Sequence, residues 1–543
     1  MKTDTRWSLV VAALILVAAL RVAATYYTVS ATVDEPPHIA CGLEWLEGKT
    51  YNYEYQHPPL ARMMLGLGLY LDGIRAPHLD DFWSDGNAIL YSDGNYRARL
   101  ALARVGNLAF LILGAIVVWL WGKRWFGRAS GLWSVLLFVS LPPILAHAGL
   151  ATLDMAATAT CGLALYELVR WREQPTMRRA ILLAVAVALG LLCKFSTPAF
   201  LAASAAIGLF GIRRGDAPRL QWRPLCGQAA AMLGVILVLV WVGYRFRVQP
   251  VVEPDDSREA LHDAMARIVG DRPAVLKAMT GIFEIPTPLG GLVRGFGELL
   301  NHDAKGQTSY LLGQARRTGW WYFFPVVLSV KTPLGFALLA LFGMILVIFG
   351  FRDAPWQHRV TALFVLAILL VCMTSRIDRG VRHVLPIYTP LAVMAGSAAA
   401  ALFSQKQTRW WAVVLAGWVV VASAIAHPDY LPYFNELALS HPERILVDSD
   451  LDWGQDLDRL SARLRELHVD HVGIQYWGGG SLARAGLPPY TKLQPNEITE
   501  GYVAISLHEL NTYYAANGSW AWLHDRQPVE RVGKSINLYY IKK

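Results

Sequence analysis

Cysteine and charge are both scarce in this chain. Five cysteines stand in 543 residues, with Cys161, Cys193, Cys226 and Cys372 inside apolar runs and Cys41 without an obvious partner, which excludes a disulfide-stapled scaffold. Asp, Glu, Lys and Arg together make up 17% of the residues, against about 25% in a globular protein. A length that would otherwise suggest several soluble domains is therefore not spent on them. Glycine shows no period, which excludes a collagen-like repeat, and a mean hydropathy of +0.33 excludes disorder. Walker and dinucleotide glycine signatures are missing, and the 14 histidines show neither HExxH nor a paired metal spacing, so no metal or cofactor is expected. The formal charge of +9 is not gathered into Lys/Arg runs interleaved with aromatics, so nucleic acid is not an expected partner. Internal repeats are absent too, so the pseudo-symmetric halves of many transporters gain no support.

What is abundant is apolar sequence, 54% of the chain. With about 20 apolar residues as the ruler, candidate spans are Trp7–Ala24, Leu100–Trp121, Gly131–His147, Thr152–Val169, Ala180–Cys193, Pro198–Ile212, Leu225–Tyr244, Val330–Gly350, Val360–Met373, Val384–Phe403 and Trp410–Ala426. The first is read as a retained span rather than a cleaved signal, because no small-residue cleavage site precedes Tyr26 and Tyr27. Arg and Lys cluster in the short loops after even-numbered spans: Lys123, Arg124 and Arg128; Arg170, Arg172, Arg178 and Arg179; Arg213, Arg214, Arg219 and Arg223; Arg352 and Arg359; Lys406 and Arg409. The positive-inside rule makes those loops cytoplasmic and puts the long loops 25–99 and 245–329, with the tail 427–543, on the outer face.

The expected fold is therefore a polytopic α-helical membrane protein of about 11 transmembrane helices, with a C-terminal soluble α/β domain. Residues 1–426 would form the membrane part. In the first outer loop, Leu60–Leu71 is too short to cross and follows a Pro-Pro pair, so it reads as an in-plane interfacial helix, and Glu35–Leu46 as a second. In the tail, Ile445–Val447, Val472–Tyr476, Tyr502–Ser506 and Ile536–Ile541 read as strands, and Asp456–Leu467 and His508–Leu523 as helices.

Ionisable residues beside the spans are the candidates for chemistry. Asp34 and Glu35 stand just beyond the first span, where burial or mutual repulsion can raise a carboxyl toward the range a general base needs. The plainer reading is a helix cap before Pro36. Asp154 lies where the third span turns into the fourth, on the same expected face, where it or Thr152 could also cap. Cations gather there as well: His57 and Arg62 around the interfacial helix, Lys194 at the tip of a hairpin, and Arg379, Arg382 and His383 between the ninth and tenth spans. Arg forks and Lys point charges bind phosphate, so together they describe an anionic lipid headgroup site. The alternatives for each are attraction to bulk anionic headgroups or pairing with Asp378. Asp448-Ser449-Asp450-Leu451-Asp452 opens like a calcium loop, but Trp453 and Arg459 stand where glycine and glutamate are required.

These residues resemble the membrane glycosyltransferases of the GT-C fold, in particular bacterial family-39-type sequences related to protein O-mannosyltransferases and aminoarabinose transferases. The likeness rests on the Asp34-Glu35 pair, His57-Pro58-Pro59-Leu60, Asp154, Tyr310–Gly313, Gly319–Pro325, Lys331–Leu334, Arg382–Tyr388 and Leu451–Asp456. It implies a polyprenyl-phosphate-linked sugar as donor, transfer on the outer side and inversion at the anomeric carbon. Asp34 would be the acid nearest the acceptor, with Glu35 beside it and Asp154 as second acid. Arg382, Arg379, His383 and Lys194 would hold the donor phosphate, His57 and Arg62 would contact substrate, and the acceptor hydroxyl could belong to a protein, lipid or glycan. The bacterial look of the relatives places the chain in an inner membrane with its tail in the periplasm. A flippase for lipid-linked sugars is the competing function, although it would need access from both leaflets. A scaffolding subunit whose acids only cap helices is a third.

Overall fold

Proline decides where several helices start and break. A computed structural model describes residues 2–48, 51, 53–213, 215–251, 281, 283–350 and 353–542. After α1 (Lys2–Ala23), both α2 (Glu35–Glu47) and α3 (Pro59–Leu71) open on proline, which lacks the N–H that a first turn leaves unpaired and already has a helical φ. These are the two helices expected in the first outer loop. α4 (Phe82–Tyr91) is capped by the Asp81 carboxylate, which accepts from the Trp83 and Ser84 N–H groups. α5 (Tyr96–Trp121) precedes a bent pair, α6 (Arg128–Phe138) and α7 (Pro142–Ala148), which meet at 65° where the Pro142-Pro143 pair interrupts the ladder. Phe323–Lys331 and Leu334–Phe349 likewise turn through 120° at Pro333. Between these pairs run α8 (Asp154–Glu173), α9 (Met177–Cys193), α10 (Thr197–Gly208), α11 (Trp222–Gly243) and the helix Gly290–Lys305. Trp356–Cys372, Tyr388–Ser404 and Arg409–Ala426 follow.

Helix occupies every span expected from the sequence. Among the described residues, length and apolarity alone qualify five helices as membrane spans, or up to seven if each bent pair is one span; Pro59–Leu71, Thr197–Gly211 and Trp356–Cys372 are shorter apolar helices. The expected total of 11 goes beyond that range. Of the outer loop 245–329, residues 252–280 and 282 lie outside the described residues, as do Arg214 and Arg352 of the orientation loops.

α2 and α3 cross with their backbones in contact. A Cβ on Gly42 would stand 2.2 Å from the Arg62 carbonyl oxygen, and one on Gly66 would stand 2.9 Å from the Gly42 carbonyl carbon. Small residues permit that approach. One continuous apolar core then runs from Val11 in α1 to Ala416 and Val419 near the end of the helical part, and it takes in Tyr430, Leu431, Ala438, Leu446 and Trp453 from the tail.

The tail has its own sheet as well. A short hairpin of β1 (Ser309–Leu311) and β2 (Gln314–Arg316) lies in the preceding loop. The tail strands are β3 (Val472–Gln475), β4 (Tyr490–Lys492), β5 (Gly501–Ser506), β6 (Glu530–Val532) and β7 (Ile536–Ile541), in the spatial order β4-β3-β5-β7-β6. β4, β3 and β5 are parallel, whereas β7 pairs antiparallel with β5 and β6. The helix Leu457–Glu466 contributes Leu460 and Leu464 to a core with Val472, Ile474 and Leu538, and a second core holds Val503, Ile505, Trp520 and Tyr539.

Two tail expectations are corrected. Ile445–Val447 forms no strand; it lies between 3-10 turns at Pro442–Arg444 and Asp448–Asp450, because Leu446 and Val447 bury into apolar clusters instead of pairing with a sheet. His508–Leu523 is not one helix: a π turn at Glu509–Tyr513 leads to short helices Tyr514–Asn517 and Ala521–His524, separated at Gly518, whose φ is +77°.

The Gly42 contact makes a stability prediction. Gly42→Ala forces α2 from α3 and is expected to cost about 1–3 kcal/mol, seen as a lowered melting temperature of the detergent-purified protein in scanning fluorimetry. An unchanged melting temperature would show that the two helices can separate freely.

Candidate active site

Adjacent acids at the start of α2 take different partners. Glu35 is fully buried and receives two bonds from Arg104, Nε to Oε1 at 2.7 Å and Nη2 to Oε2 at 2.8 Å. The Thr32 N–H, the Thr32 hydroxyl and the Ala151 N–H also donate to its carboxylate. Arg104 spends its remaining N–H groups on the carbonyls of Tyr26, Val29 and Ser30. With every donor and several lone pairs matched, this pair has nothing left for a substrate. Glu35, expected beside Asp34 as a catalytic group, is thus held in place by these bonds at the start of α2.

Asp34 sits at the N-cap of α2 but makes no capping bond with its side chain. Its carboxylate accepts from Arg382 Nη1 at 2.5 Å and stays 28% exposed, against 11% for Arg382. The Arg382 guanidinium lies 4.5 Å from the centre of the Trp453 ring, stacked as a cation on an aromatic face. Its Nε is buried without a partner.

Asp154 opens α8 and is buried. It too is engaged by a cation, Lys194 Nζ at 2.5 Å from Oδ1, while His147 Nδ1 lies 3.8 Å from Oδ2. The His147 ring is 6.2 Å from Trp453, so a chain of contacts runs from Asp34 through Arg382, Trp453 and His147 to Asp154 and Lys194. His383 stands among them with its Nε2 buried and unpartnered. Burial, reinforced by the nearby Lys194 and Arg382 charges, holds its imidazole well below the ordinary range and therefore neutral. Arg379 is 3.7 Å from Asp448. Asp378 pairs with none of these arginines; it accepts from the Trp320 N–H at 2.7 Å, and burial pushes its carboxyl up to about 7.

His57 and Arg62 fall into a neighbouring cluster. Arg62 is fully buried and donates to His38, to the Tyr51 hydroxyl, to the Glu54 carbonyl and to the Glu54 carboxylate. His57 Nδ1 contacts Glu54 at 2.9 Å. Arg62, expected as a substrate contact, thus has its fork enclosed at the start of α3. Burial would raise the Glu54 carboxyl, but Arg62 and His57 outweigh it and keep it well below the usual carboxylate range.

Several site residues escaped the sequence reading. Arg104 was hidden inside an apolar run, although an ionisable group within a span is itself a signal. Trp453 and Asp450 lie in the stretch dismissed as a calcium loop. Asp450 accepts from the Val381 N–H at 3.0 Å, and its carbonyl accepts from buried Lys331 at 2.6 Å, so the tail fixes the loop that carries Arg382. Gly380, at φ +98°, makes room for this, since a Cβ there would stand 2.8 Å from Asp450 Oδ2. Among the described residues, no group of three or more His, Cys, Asp and Glu is placed to hold a metal ion.

Two stability measurements follow. Glu35→Gln leaves Arg104 buried beside a neutral amide and is expected to destabilise by about 3–5 kcal/mol, whereas Asp34→Asn at the half-open cleft leaves the melting temperature nearly unchanged; equal shifts would refute the division of roles. The Glu54 pairing contributes stability above the unfolded value of about 4.3 and loses it as pH falls from there toward the depressed folded value. Glu54→Gln should flatten that acid limb of a melting-temperature profile, and superimposable profiles would remove the pairing from the account.

Comparison with known proteins completes the picture. The family model of dolichyl-phosphate-mannose-protein mannosyltransferase matches residues 11–245, from within α1 to just past α11, with Asp34 and Asp154 inside it and Arg382 outside. No curated protein matches by sequence. ArnT from Cupriavidus metallidurans in the apo state is similar in fold at a TM-score of 0.50 and 13% identity, over 99% of this chain and 98% of that one. The Archaeoglobus fulgidus oligosaccharyltransferase tethered to an acceptor peptide gives 0.51 at 9% identity, over 94% and 71%. Residues 11–245 are thus similar to the mannosyltransferase family model, and the chain shares its fold with these two proteins over nearly its whole length.

Proposed function

We propose that the protein moves a sugar from a polyprenyl-phosphate donor to an acceptor hydroxyl of a protein, lipid or glycan, with inversion, at the outer face of a bacterial inner membrane. The observation that carries this reading is the Asp34–Arg382 contact, a partly exposed acid and an arginine fork suited to phosphate 2.5 Å apart, near the Lys194–Asp154 pair. The name of the matching family, with its dolichyl-phosphate-mannose donor, supports the lipid phosphate. In this topology about eleven spans carry residues 1–426, and residues 427–543 lie on the outer side with the cleft.

The donor phosphate would draw the Arg382 fork, whose Nε is unpartnered, away from Asp34. Arg379, Lys194 and neutral His383 would share its charge. Asp34, released from the ion pair, takes the proton of the acceptor hydroxyl as that oxygen attacks the anomeric carbon from the face opposite the phosphate. The bond from that carbon to the phosphate oxygen breaks, and its electron pair leaves with the polyprenyl phosphate. A phosphate leaving group needs no general acid, while the cations stabilise the charge that develops on it. Asp154 acts through Lys194 by holding the ammonium toward the phosphate.

The test uses the purified full chain in nanodiscs with polyprenyl-phosphate mannose. Asp34→Asn should cut transfer by about 10²- to 10⁴-fold while still binding polyprenyl phosphate. Arg382→Ala should weaken that binding by tenfold or more, as loss of a charged hydrogen bond does at about 1.4 kcal/mol per decade. Transfer at the native rate by Asp34→Asn would end the base assignment, and undiminished lipid binding by Arg382→Ala would end the phosphate assignment.

A further inference from the structure

The parallel strands of the tail sheet end beside the cleft. In open α/β sheets, ligands bind outside the carboxyl ends of parallel strands, where the loops diverge. Here Trp477 follows β3 by two residues and His508 follows β5 by two, on adjacent parallel strands. The two rings stack, with centroids 4.4 Å apart and planes 20° apart. The Trp477 loop is pressed against the loop that carries the proposed base: a Cβ on Gly479 would stand 2.3 Å from the Thr32 carbonyl oxygen and 3.0 Å from that of Val33. The His508 loop is fixed from below by Asp452, whose carboxylate accepts the His508 N–H at 2.8 Å. Arg379 and Asp448 bring charge to this wall, and both lie close enough to act on the His508 imidazole, which burial drives down to about 4 and so keeps neutral.

Trp477 Nε1 and His508 Nδ1 are buried with no hydrogen-bond partner, His508 itself being only 3% exposed, and Arg379 Nε, also buried, makes no hydrogen bond beyond its 3.7 Å ion pair with Asp448. Orphaned polar atoms are costly, and several side by side are the mark of a site built for a polar occupant. The chemistry of the set selects among occupants. A second anion would meet Asp448, and a cation would meet Arg379. A neutral ring rich in hydroxyls satisfies both, because each hydroxyl donates to Asp448 or accepts from the Trp477, Arg379 and His508 groups, and its C–H face can lie against an aromatic ring.

We infer that Trp477, His508, Arg379 and Asp448 form a pyranose-binding subsite at the carboxyl ends of β3 and β5, continuous with the Asp34–Arg382 cleft. This rests on the glycosyl-transfer reading above. The ring could be the donor's own sugar or a sugar of the acceptor, and the chemistry is the same in both cases.

Titration of the full chain in nanodiscs separates these possibilities. Asp448→Asn suits the test because asparagine tolerates the φ of +47° found there and its amide oxygen can still accept from the Ser449 N–H. Trp477→Leu removes the ring and keeps apolar bulk. Each is expected to weaken polyprenyl-phosphate mannose about tenfold with no loss of affinity for polyprenyl phosphate lacking the sugar. If instead the lipid-linked sugar is unaffected and methyl mannoside, titrated with polyprenyl phosphate saturating, is weakened, the subsite holds the acceptor's ring. Unchanged affinity for both sugars in both variants overturns the inference. It does so while leaving the transfer reading intact, since that reading fails separately if Arg382→Ala keeps full affinity for polyprenyl phosphate.

Discussion

The Glu35–Arg104 pair is the constraint from which the cleft takes its shape. An ion pair with no exposure survives in an apolar bundle only when its remaining lone pairs and N–H groups are matched. The partners that match this one come from the loop after α1, the start of α2, α5 and the turn before α8. Four segments are thereby fixed to one another. Asp34 is one residue from Glu35, and Asp154 is three residues beyond Ala151, so both acids inherit their positions from the pair. Asn107 reinforces the same turn, donating to the carbonyls of His147, Leu150 and Thr152. A buried charge pair therefore holds the frame, and its neighbour in sequence, Asp34, faces Arg382 instead.

Around that frame the cations rest on carboxylates that can be exchanged. Lone cations are expensive near hydrocarbon. Pairing Arg382 with Asp34 and Lys194 with Asp154 offsets that cost, since each pair is neutral as a unit, and under the proposed function each cation would turn to the donor phosphate. Arg104 and Arg62 show the contrast. The Arg104 fork is taken up by carboxylate and carbonyl oxygens, and the Arg62 fork by the Glu54 carboxylate and carbonyl, the Tyr51 hydroxyl and the His38 ring nitrogen. Exposure follows the same division: both of these arginines are fully buried, and Arg382, Lys194 and Arg379 are partly open.

Local pattern carried much of the fold. Pro-Pro starts located α2 and α3, apolar runs located the helices, and alternation located β3, β5 and β7 within a residue or two. Asp34, Asp154, Arg382 and Lys194 were legible because an ionisable residue next to an apolar run stands out. What local pattern could not carry was pairing across long separations: Glu35 with Arg104, or Asp450 with the Val381 N–H. Ile445–Val447 failed as a strand for the same reason. Its apolar residues look alike whether they pair in a sheet or pack into a bundle, and only the neighbours decide. β4 and β6, three residues each, were too short to show a period.

The acidic stretch Asp448–Asp456 joins the two halves of the molecule, and three of its four acids have a backbone target outside it. Asp450 takes the Val381 N–H in the loop that carries Arg382; Asp452 takes the His508 N–H beyond β5; Asp456 takes the N–H groups of Lys534 and Ser535 at the turn between β6 and β7. Trp453, between them, forms the aromatic floor under Arg382. Seven residues from Asp450 to Asp456 thus register the sheet against the anion-binding loop without any helix or strand of their own length. Because these ties are made to backbone N–H groups, side chains on the loops after β3 and β5 are free to differ while the loop that carries Arg382 keeps its geometry.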